Sequence, residues 1–298
     1  MPQAPDLLQP HPSVANFFSL VKFEHTLFAL PFALLSAFFA AGGFPPAEKL
    51  LWILVAMVGA RSAAMAFNRI ADRRVDAANP RTASREIPAG IITVAQAAVF
   101  CAASSAIFVL AAWCLNPLCL ALSPVALLAI LGYSFTKRFT WGAHVFLGLS
   151  LAIAPVGAWV AVRGAFALLP VVLGVAVLFW VAGFDVIYSL QDETFDRGQG
   201  LRSIPSAFGV RRSLLVAAVL HALALGLYYA VFVLAHGGLA LGAGVIAAGA
   251  FLVRQHQLVS PDDLSKVNAA FFAANGWLSV VFSALGIVDV LVSGAPSR

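Results

Sequence analysis

Residues 68–90 read Asn68-Arg-Ile-Ala-Asp72-Arg-Arg-Val-Asp76-Ala-Ala-Asn-Pro-Arg81-Thr-Ala-Ser-Arg85-Glu-Ile-Pro-Ala-Gly90. Three acids and five arginines crowd into this stretch, in a chain where charged residues make up only 10%. It begins where a long apolar segment stops. Acids and arginines together at the end of a membrane helix point to a site for an anion and a metal.

The surrounding chain is a membrane scaffold. Of its 298 residues, 61% are hydrophobic, and its mean hydropathy is +0.94. A soluble domain is about 45–50% apolar and about 25% charged. About 20 apolar residues carry a helix across the hydrocarbon core. On that measure nine spans are predicted, at 17–41, 49–71, 93–115, 117–135, 140–162, 166–190, 213–236, 239–258 and 269–292. Asn116-Pro117 marks the break between the third and fourth. Pro31, Pro155 and Pro170 fall inside apolar runs, which membrane helices tolerate when neighbours re-satisfy the backbone. The two long connections, 72–92 and 191–212, are rich in charge and turn residues.

Charge gives the orientation. Loops after even-numbered spans carry Arg69, Arg73, Arg74, Arg81, Arg85, Lys137, Arg138, Arg197, Arg202, Arg211, Arg212, Arg254 and Lys266, with Lys22 on the same side. The other side has Lys49, Arg163 and Arg298. The positive-inside rule puts the N-terminus and both long loops in the cytoplasm, in a cell (inner) membrane. The net charge of +5 then reads as a basic cytoplasmic face, not a nucleic-acid surface. The three cysteines, Cys101, Cys114 and Cys119, lack metal-ligand spacing and read as helix-packing residues. The first 21 residues lack the basic start of a signal peptide, so the first apolar segment is expected to remain in the mature protein. The expected organisation is one transmembrane domain over 13–292 behind a short cytoplasmic tail, 1–12.

The chain repeats itself. Asp72-x3-Asp76 recurs as Asp192-x3-Asp196, and Arg85-x-Ile-Pro recurs as Arg202-x-Ile-Pro. His25 and His144 share nearly the same offset, which alone would be noise. The offset spans four helices, an even number, so both halves have one orientation. The expected fold is all-α: two parallel four-helix repeats plus a ninth helix. Both acidic motifs then meet at one membrane face.

Asn68, Asp72 and Asp76 are spaced by four and stack on one helix face. Arg61 lies two turns earlier on that stripe, about 10 Å deeper. Asp185, Ser189, Asp192 and Asp196 form a similar stripe in the second half, with Asp185 deeper than Asp192. Two such carboxylate pairs can hold Mg²⁺, which takes one or two carboxylates and completes its octahedron with water and phosphate oxygens. The bland alternative is that the acids pair with nearby arginines and solvate helix ends. Facing carboxylates repel unless a cation or Arg neutralises them. Arg81, Arg85, Lys137, Arg138, Arg202 and Lys22 gather at the same helix ends, and Arg suits phosphate through its planar fork. Arg61 stands inside an apolar run, where an arginine is expensive and faces a cavity or a partner. His25, Tyr133 and Tyr188 are further candidates to line the pocket.

Asn68-x3-Asp72-x3-Asp76 followed by Asn79-Pro-Arg-Thr-x2-Arg85-x-Ile-Pro-x-Gly resembles the first signature of the UbiA-type intramembrane aromatic prenyltransferases. Tyr133-Ser-Phe-Thr-Lys137-Arg138 resembles that family's Tyr-Pro-x-x-Lys-Arg loop, with Ser134 in place of Pro. Asp185-x2-Tyr188-x3-Asp192-x3-Asp196, then Gly200-Leu-Arg-Ser-Ile-Pro and Phe208-Gly209, resembles the second. The resemblance covers about 20–210. It implies nine helices around a central cavity open laterally to lipid, and Mg²⁺-dependent transfer of a polyprenyl chain from its diphosphate to a small aromatic acid. Asn68, Asp72, Asp76, Asp192 and Asp196 would serve the Mg²⁺–diphosphate. Arg81, Arg85 and Lys137 would hold the diphosphate, and Arg61 and Asp185 would face the acceptor or the reacting carbon. Lys22, Tyr133, Tyr188 and Arg202 complete the expected substrate-binding set.

The start of span one, Val21-Lys22-Phe23-Glu24-His25-Thr26, departs from members acting on 4-hydroxybenzoate. It resembles a branch tied to menaquinone through dihydroxynaphthoate, so both acceptors stay open. The rivals are a secondary transporter of an anion, whose site would lie near the bilayer midplane, and a relative with a haem or chlorophyllide acceptor.

Overall fold

The computed structural model describes residues 14–21 and 26–293. Among these the chain folds as helices joined by short loops and two longer charged connections. In order it forms α1 (Val14–Val21), α2 (Thr26–Ala41), α3 (Ala47–Ala78), α4 (Val94–Leu115), α5 (Pro117–Gly132), α6 (Ala143–Arg163), α7 (Leu168–Ser189), α8 (Glu193–Gly198), α9 (Ile204–Leu234) and α10 (Leu239–Gln257). The last helix, α11 (Val267–Ser293), contains a π turn at Ala270–Ala274.

Eight of these helices are long and apolar enough to cross a membrane, and the protein is a multi-pass membrane protein. Of the expected first span, 17–41, the described residues form α1 and α2, whose apolar run is Phe28–Ala41; residues 22–25 lie outside the described residues. The break at Asn116-Pro117 is as read. Asn116 caps α5 by accepting from the Cys119 N–H at 2.8 Å, and Pro117 opens the helix where it has no amide hydrogen to lose. Pro170 sits in the first turn of α7, where it breaks no helical bond.

Helix ends in a membrane protein need partners for their free carbonyls. Two side chains supply them at the end of the bundle away from the charged loops. Asn116 Nδ2 donates to the Val160 carbonyl at 2.8 Å, and Lys49 Nζ donates to the Leu115 carbonyl. At that same end Asp289 of α11 accepts the backbone N–H groups of Gly238, Ala240 and Leu241 at 2.8–3.1 Å, capping α10 from a different helix.

The central core joins α2, α7, α9, α10 and α11 through Phe32, Trp180, Phe184, Tyr228, Leu241 and Phe282, all essentially buried. Close approach of α6 and α7 depends on Gly148. A Cβ there would collide with the Leu178 carbonyl oxygen. Small residues of this kind let membrane helices touch backbone to backbone.

One expectation that bears on the site is met and one is not. Helix α3 runs past the end of its apolar span and carries Asn68, Asp72 and Asp76 in continuous helix, as their spacing predicts. The second acidic motif is not one helical stripe: α7 ends at Ser189, Leu190–Asp192 is a 3₁₀ turn, and Asp196 lies in α8.

Candidate active site

The ends of α3 and α7 and the 3₁₀ turn Tyr133–Arg138 that follows α5 enclose a cavity of about 240 Å³. Twelve of the expected site residues line it: Arg61, Asn68, Asp72, Asp76, Arg81, Arg85, Tyr133, Lys137, Asp185, Tyr188, Asp192 and Asp196. Acids from both halves of the chain therefore share one chamber. Arg202 does not line it. Its amide donates to the Lys137 carbonyl at 2.7 Å and its Nη1 to the Phe139 carbonyl at 2.8 Å, so it holds the loop that carries Lys137. Lys22 and His25 lie outside the described residues.

Each motif acid has a basic partner. Arg138 Nη2 lies 3.2 Å from Asp72, Arg85 Nη1 2.7 Å from Asp76, Arg81 Nη2 2.5 Å from Asp192, and Lys137 Nζ 3.6 Å from Asp196. Two of these partners bridge the halves. Arg81, just past α3, grips Asp192 with two nitrogens, at 2.9 Å through Nε and 2.5 Å through Nη2. Lys137 and Arg138, adjacent in sequence, each reach one acid, Lys137 in the second motif and Arg138 in the first. Burial works against the charge on Arg81, but its hydrogen bond to Asp192 and that carboxylate's charge outweigh it. Its pKa stands above the ordinary arginine value.

The remaining polar contacts fix orientation. Asn68 Nδ2 donates to Asp72 Oδ2 at 2.9 Å. Asn79 Nδ2 donates to Asp192 Oδ1 at 3.1 Å, while its own Oδ1 accepts the Arg81 amide at 3.0 Å. The Tyr188 ring stacks on Phe271 with centroids 4.1 Å apart, and Arg81 sits 5.5 Å above it. Deeper in, Phe28, Phe184, Leu147, Leu151, Val181 and Met65 make the wall apolar.

The site has unsatisfied groups. Oδ2 of Asp76 is buried without a hydrogen-bond partner, and so are Nε and Nη2 of Arg61, while Oδ2 of Asp196 is buried with the Lys137 ammonium 3.6 Å away. A buried polar group left unmade costs about 1–3 kcal/mol, more when charged. The carboxylate oxygens are hard donors that fit Mg²⁺ as one- or two-carboxylate sites completed by a ligand's oxygens. Among the described residues no three His, Cys, Asp or Glu side chains converge as a ready-made metal cage. The expected facing carboxylates are held apart from each other by bases instead.

Sequence reasoning passed over three contributors. Asn79 and Thr82 lie inside the quoted Asn-Pro-Arg-Thr run, so their signal was present. His144 is the third. It is fully buried in the first turn of α6, and its Nδ1 lies 2.6 Å from Asp185 Oδ2.

Membrane-crossing helices around one chamber, lined by acids and arginines at a single end, define a class: a polytopic membrane protein with an intramembrane polar site. Comparison with known proteins makes this specific. Residues 29–279 match the UbiA prenyltransferase family. A 4-hydroxybenzoate octaprenyltransferase of Nitrosomonas europaea is 32% identical over 253 residues, 85% of this chain and 86% of the relative. One from Shewanella piezotolerans is 30% identical over 263 residues, covering 87% and 90%. The apo structure of a UbiA homolog from Aeropyrum pernix K1 superposes with a TM-score of 0.81 at 35% identity, over 90% of this chain and 98% of that one. A UbiA homolog from Archaeoglobus fulgidus bound to DMAPP and Mg²⁺ shares the fold, with a TM-score of 0.72 at 20% identity, covering 92% and 99%. The chain belongs to the UbiA prenyltransferase family and is a prenyltransferase.

Proposed function

We propose that this chain transfers a polyprenyl group from its diphosphate to the ring of 4-hydroxybenzoate, in the formation of ubiquinone, with Mg²⁺ at the diphosphate. The observation that carries the proposal is one cavity with two charge zones. Two acid motifs and four bases crowd its mouth, and a single arginine with unpartnered buried nitrogens, Arg61, stands deeper. The curated relatives named 4-hydroxybenzoate octaprenyltransferase and the neighbour bound to DMAPP and Mg²⁺ support it.

In this reading Asn68, Asp72, Asp76, Asp192 and Asp196 hold Mg²⁺, and Arg81, Arg85 and Lys137 turn from the acids to the diphosphate. Bound Mg²⁺ supplies charge stabilisation for the departing diphosphate. The three bases act alongside it, as pre-placed positive charge where negative charge develops. The allylic C–O bond breaks and the diphosphate leaves with the electron pair. Apolar walls around Phe28, Phe184 and Leu147 keep water from the allylic cation.

Arg61 receives the acceptor's carboxylate, which leaves the phenolic ring facing the reacting carbon. The ring carbon beside the hydroxyl attacks, and its proton passes to the Asp185 carboxylate. A cavity of about 240 Å³ is below the usual range of about 300–1,000 Å³ for sites that enclose a drug-sized ligand. Most of a long prenyl tail therefore extends outside it, among lipid. Lysines and arginines concentrated on the cavity side support a cytoplasmic mouth in a cell membrane.

The test is prenyl transfer by membranes carrying the protein, with radiolabelled polyprenyl diphosphate and with 4-hydroxybenzoate, dihydroxynaphthoate or no acceptor, with and without EDTA. Labelled prenyl-hydroxybenzoate that forms only with Mg²⁺ is expected. Product on the naphthoate alone would move the chain to menaquinone formation, and movement of an anion without any transfer would make it a transporter.

A further inference from the structure

His144 stands opposite Asp185 in a relation that nothing in the sequence motifs assigns. It belongs to α6, Asp185 to α7, and the two are 41 residues apart. Nδ1 of His144 lies 2.6 Å from Asp185 Oδ2, and the backbone N–H of Ile204, at the start of α9, donates to His144 Nε2 at 3.3 Å. An imidazole that accepts at Nε2 carries its hydrogen on Nδ1. The ring is therefore neutral, in one tautomer, and donates to the carboxylate. It is fully buried, while Asp185 lines the cavity and keeps 18% of its side chain exposed. Nothing else among the described residues' hydrogen bonds holds the Asp185 side chain.

We propose that His144 is a positioning residue: through the Ile204-amide–His144–Asp185 chain it fixes the one carboxylate oxygen pair that faces the acceptor ring. This rests on the prenyl-transfer reading above. With Oδ2 occupied by the imidazole N–H, Oδ1 is left free toward the cavity to take the ring proton. That proton moves from the arenium carbon to Oδ1, the ring's electron pair returns to the aromatic system, and His144 keeps its own proton throughout. The α9 start matters because the Ile204 amide sets the tautomer. An imidazole with hydrogen on Nε2 would turn a lone pair toward the carboxylate and push it away. One turn along α6, Gly148 lets the same two helices approach closely.

A small displacement of a reacting group costs roughly 100-fold in rate. The decisive experiment is a double-mutant cycle in membranes, with folding followed by thermal unfolding in detergent. His144→Ala is expected to lower kcat by roughly 10- to 100-fold with KM for prenyl diphosphate unchanged. His144→Asn, whose amide nitrogen sits near the position of Nδ1, is expected to recover much of that loss. His144→Gln, whose amide lies farther out, is expected not to. In an Asp185→Asn background, His144→Ala is expected to cause no further loss, because the two act as one unit. Equal losses in both backgrounds, or His144→Asn no better than His144→Gln in folded protein, would overturn the proposal.

A readout independent of transfer keeps it separate from the reaction assigned above. Nitrogen-15 NMR of histidine-labelled protein, with His144 assigned by its variant, is expected to show a neutral Nδ1–H tautomer that changes in Asp185→Asn. That tautomer in a protein without prenyl transfer would leave the pairing standing and the reaction wrong. An Nε2–H tautomer would overturn the pairing itself.

Discussion

Replacing Arg61 by leucine separates a binding arginine from a structural one, because the two roles give opposite signs. Arg61 lies in α3 among buried residues, lines the cavity, and has Nε and Nη2 buried and unpartnered. In the ligand-free protein this is an uncompensated group in an apolar wall, and removing such a group is neutral or stabilising. In the proposed complex with the acceptor, the same nitrogens meet a carboxylate. Truncating one partner of a buried, hydrogen-bonded charge pair costs about 2–5 kcal/mol. That is roughly 30- to 4,000-fold in kcat/KM for a carboxylated acceptor. Arg61→Leu is therefore expected to unfold at an equal or higher temperature in detergent and to lose transfer to 4-hydroxybenzoate by that factor. Transfer to a neutral analogue, 4-hydroxybenzamide, should fall far less. The assay is initial-rate prenyl transfer to both acceptors at saturating prenyl diphosphate. An Arg61→Leu protein that is destabilised yet keeps its preference for the carboxylate would refute the reasoning.

Three other outcomes follow from particular contacts. Arg81→Gln removes the two bonds to Asp192 and, in the proposed complex, one partner of the diphosphate. At this partly exposed position the loss is about 1.5 kcal/mol, or roughly tenfold in KM for prenyl diphosphate by steady-state kinetics. Gly148→Ala forces a Cβ onto the Leu178 carbonyl and pries α6 from α7, for about 1–3 kcal/mol. A lower unfolding midpoint together with reduced transfer is expected, and an unchanged midpoint would show that the two helices part freely. Asp289→Ala strips three amide partners from the start of α10, for about 1–3 kcal/mol. It lies at the end of the bundle away from the cavity, so thermal stability should fall while kcat stays at the wild-type value.

Much of the scaffold was legible because lipid imposes length and apolarity on a helix. The Asn116-Pro117 break and the eight long helices follow from that alone. The four-residue spacing of Asn68, Asp72 and Asp76 carried α3 past its apolar run, and the bases of the cavity receive the two acids there. Apolarity misled at α9, which starts at Ile204, well before the apolar run. Ser203 and Ser206 form a capping box there, and Gly209, at φ +76°, bends the helix in a conformation that only glycine adopts cheaply.

The repeated acids were legible as partners in one site, since an even number of crossings returns the chain to the same face. Their partners were not. Which base meets which acid depends on turns such as Tyr133–Arg138 and Leu190–Asp192, whose 3₁₀ geometry leaves no periodic trace. His144 was visible only as a faint repeat position, and its meaning lies in a contact between two helices. Phe271 reaches the cavity through the π turn of α11, which the Asn275 side chain supports by donating to the Phe271 carbonyl at 2.8 Å. No spacing rule read from α-helical periodicity would place it there.

The claim that both halves of the chain build one diphosphate site is tested most directly by Mg²⁺-dependent prenyl transfer in two single variants, Asp72→Asn and Asp192→Asn, in membranes holding equal amounts of folded protein. Each variant alone is expected to lose transfer by more than roughly 100-fold, since each removes one wall of the same charged mouth. Wild-type transfer in either variant would contradict the account, because that half of the chain would then stand outside the site.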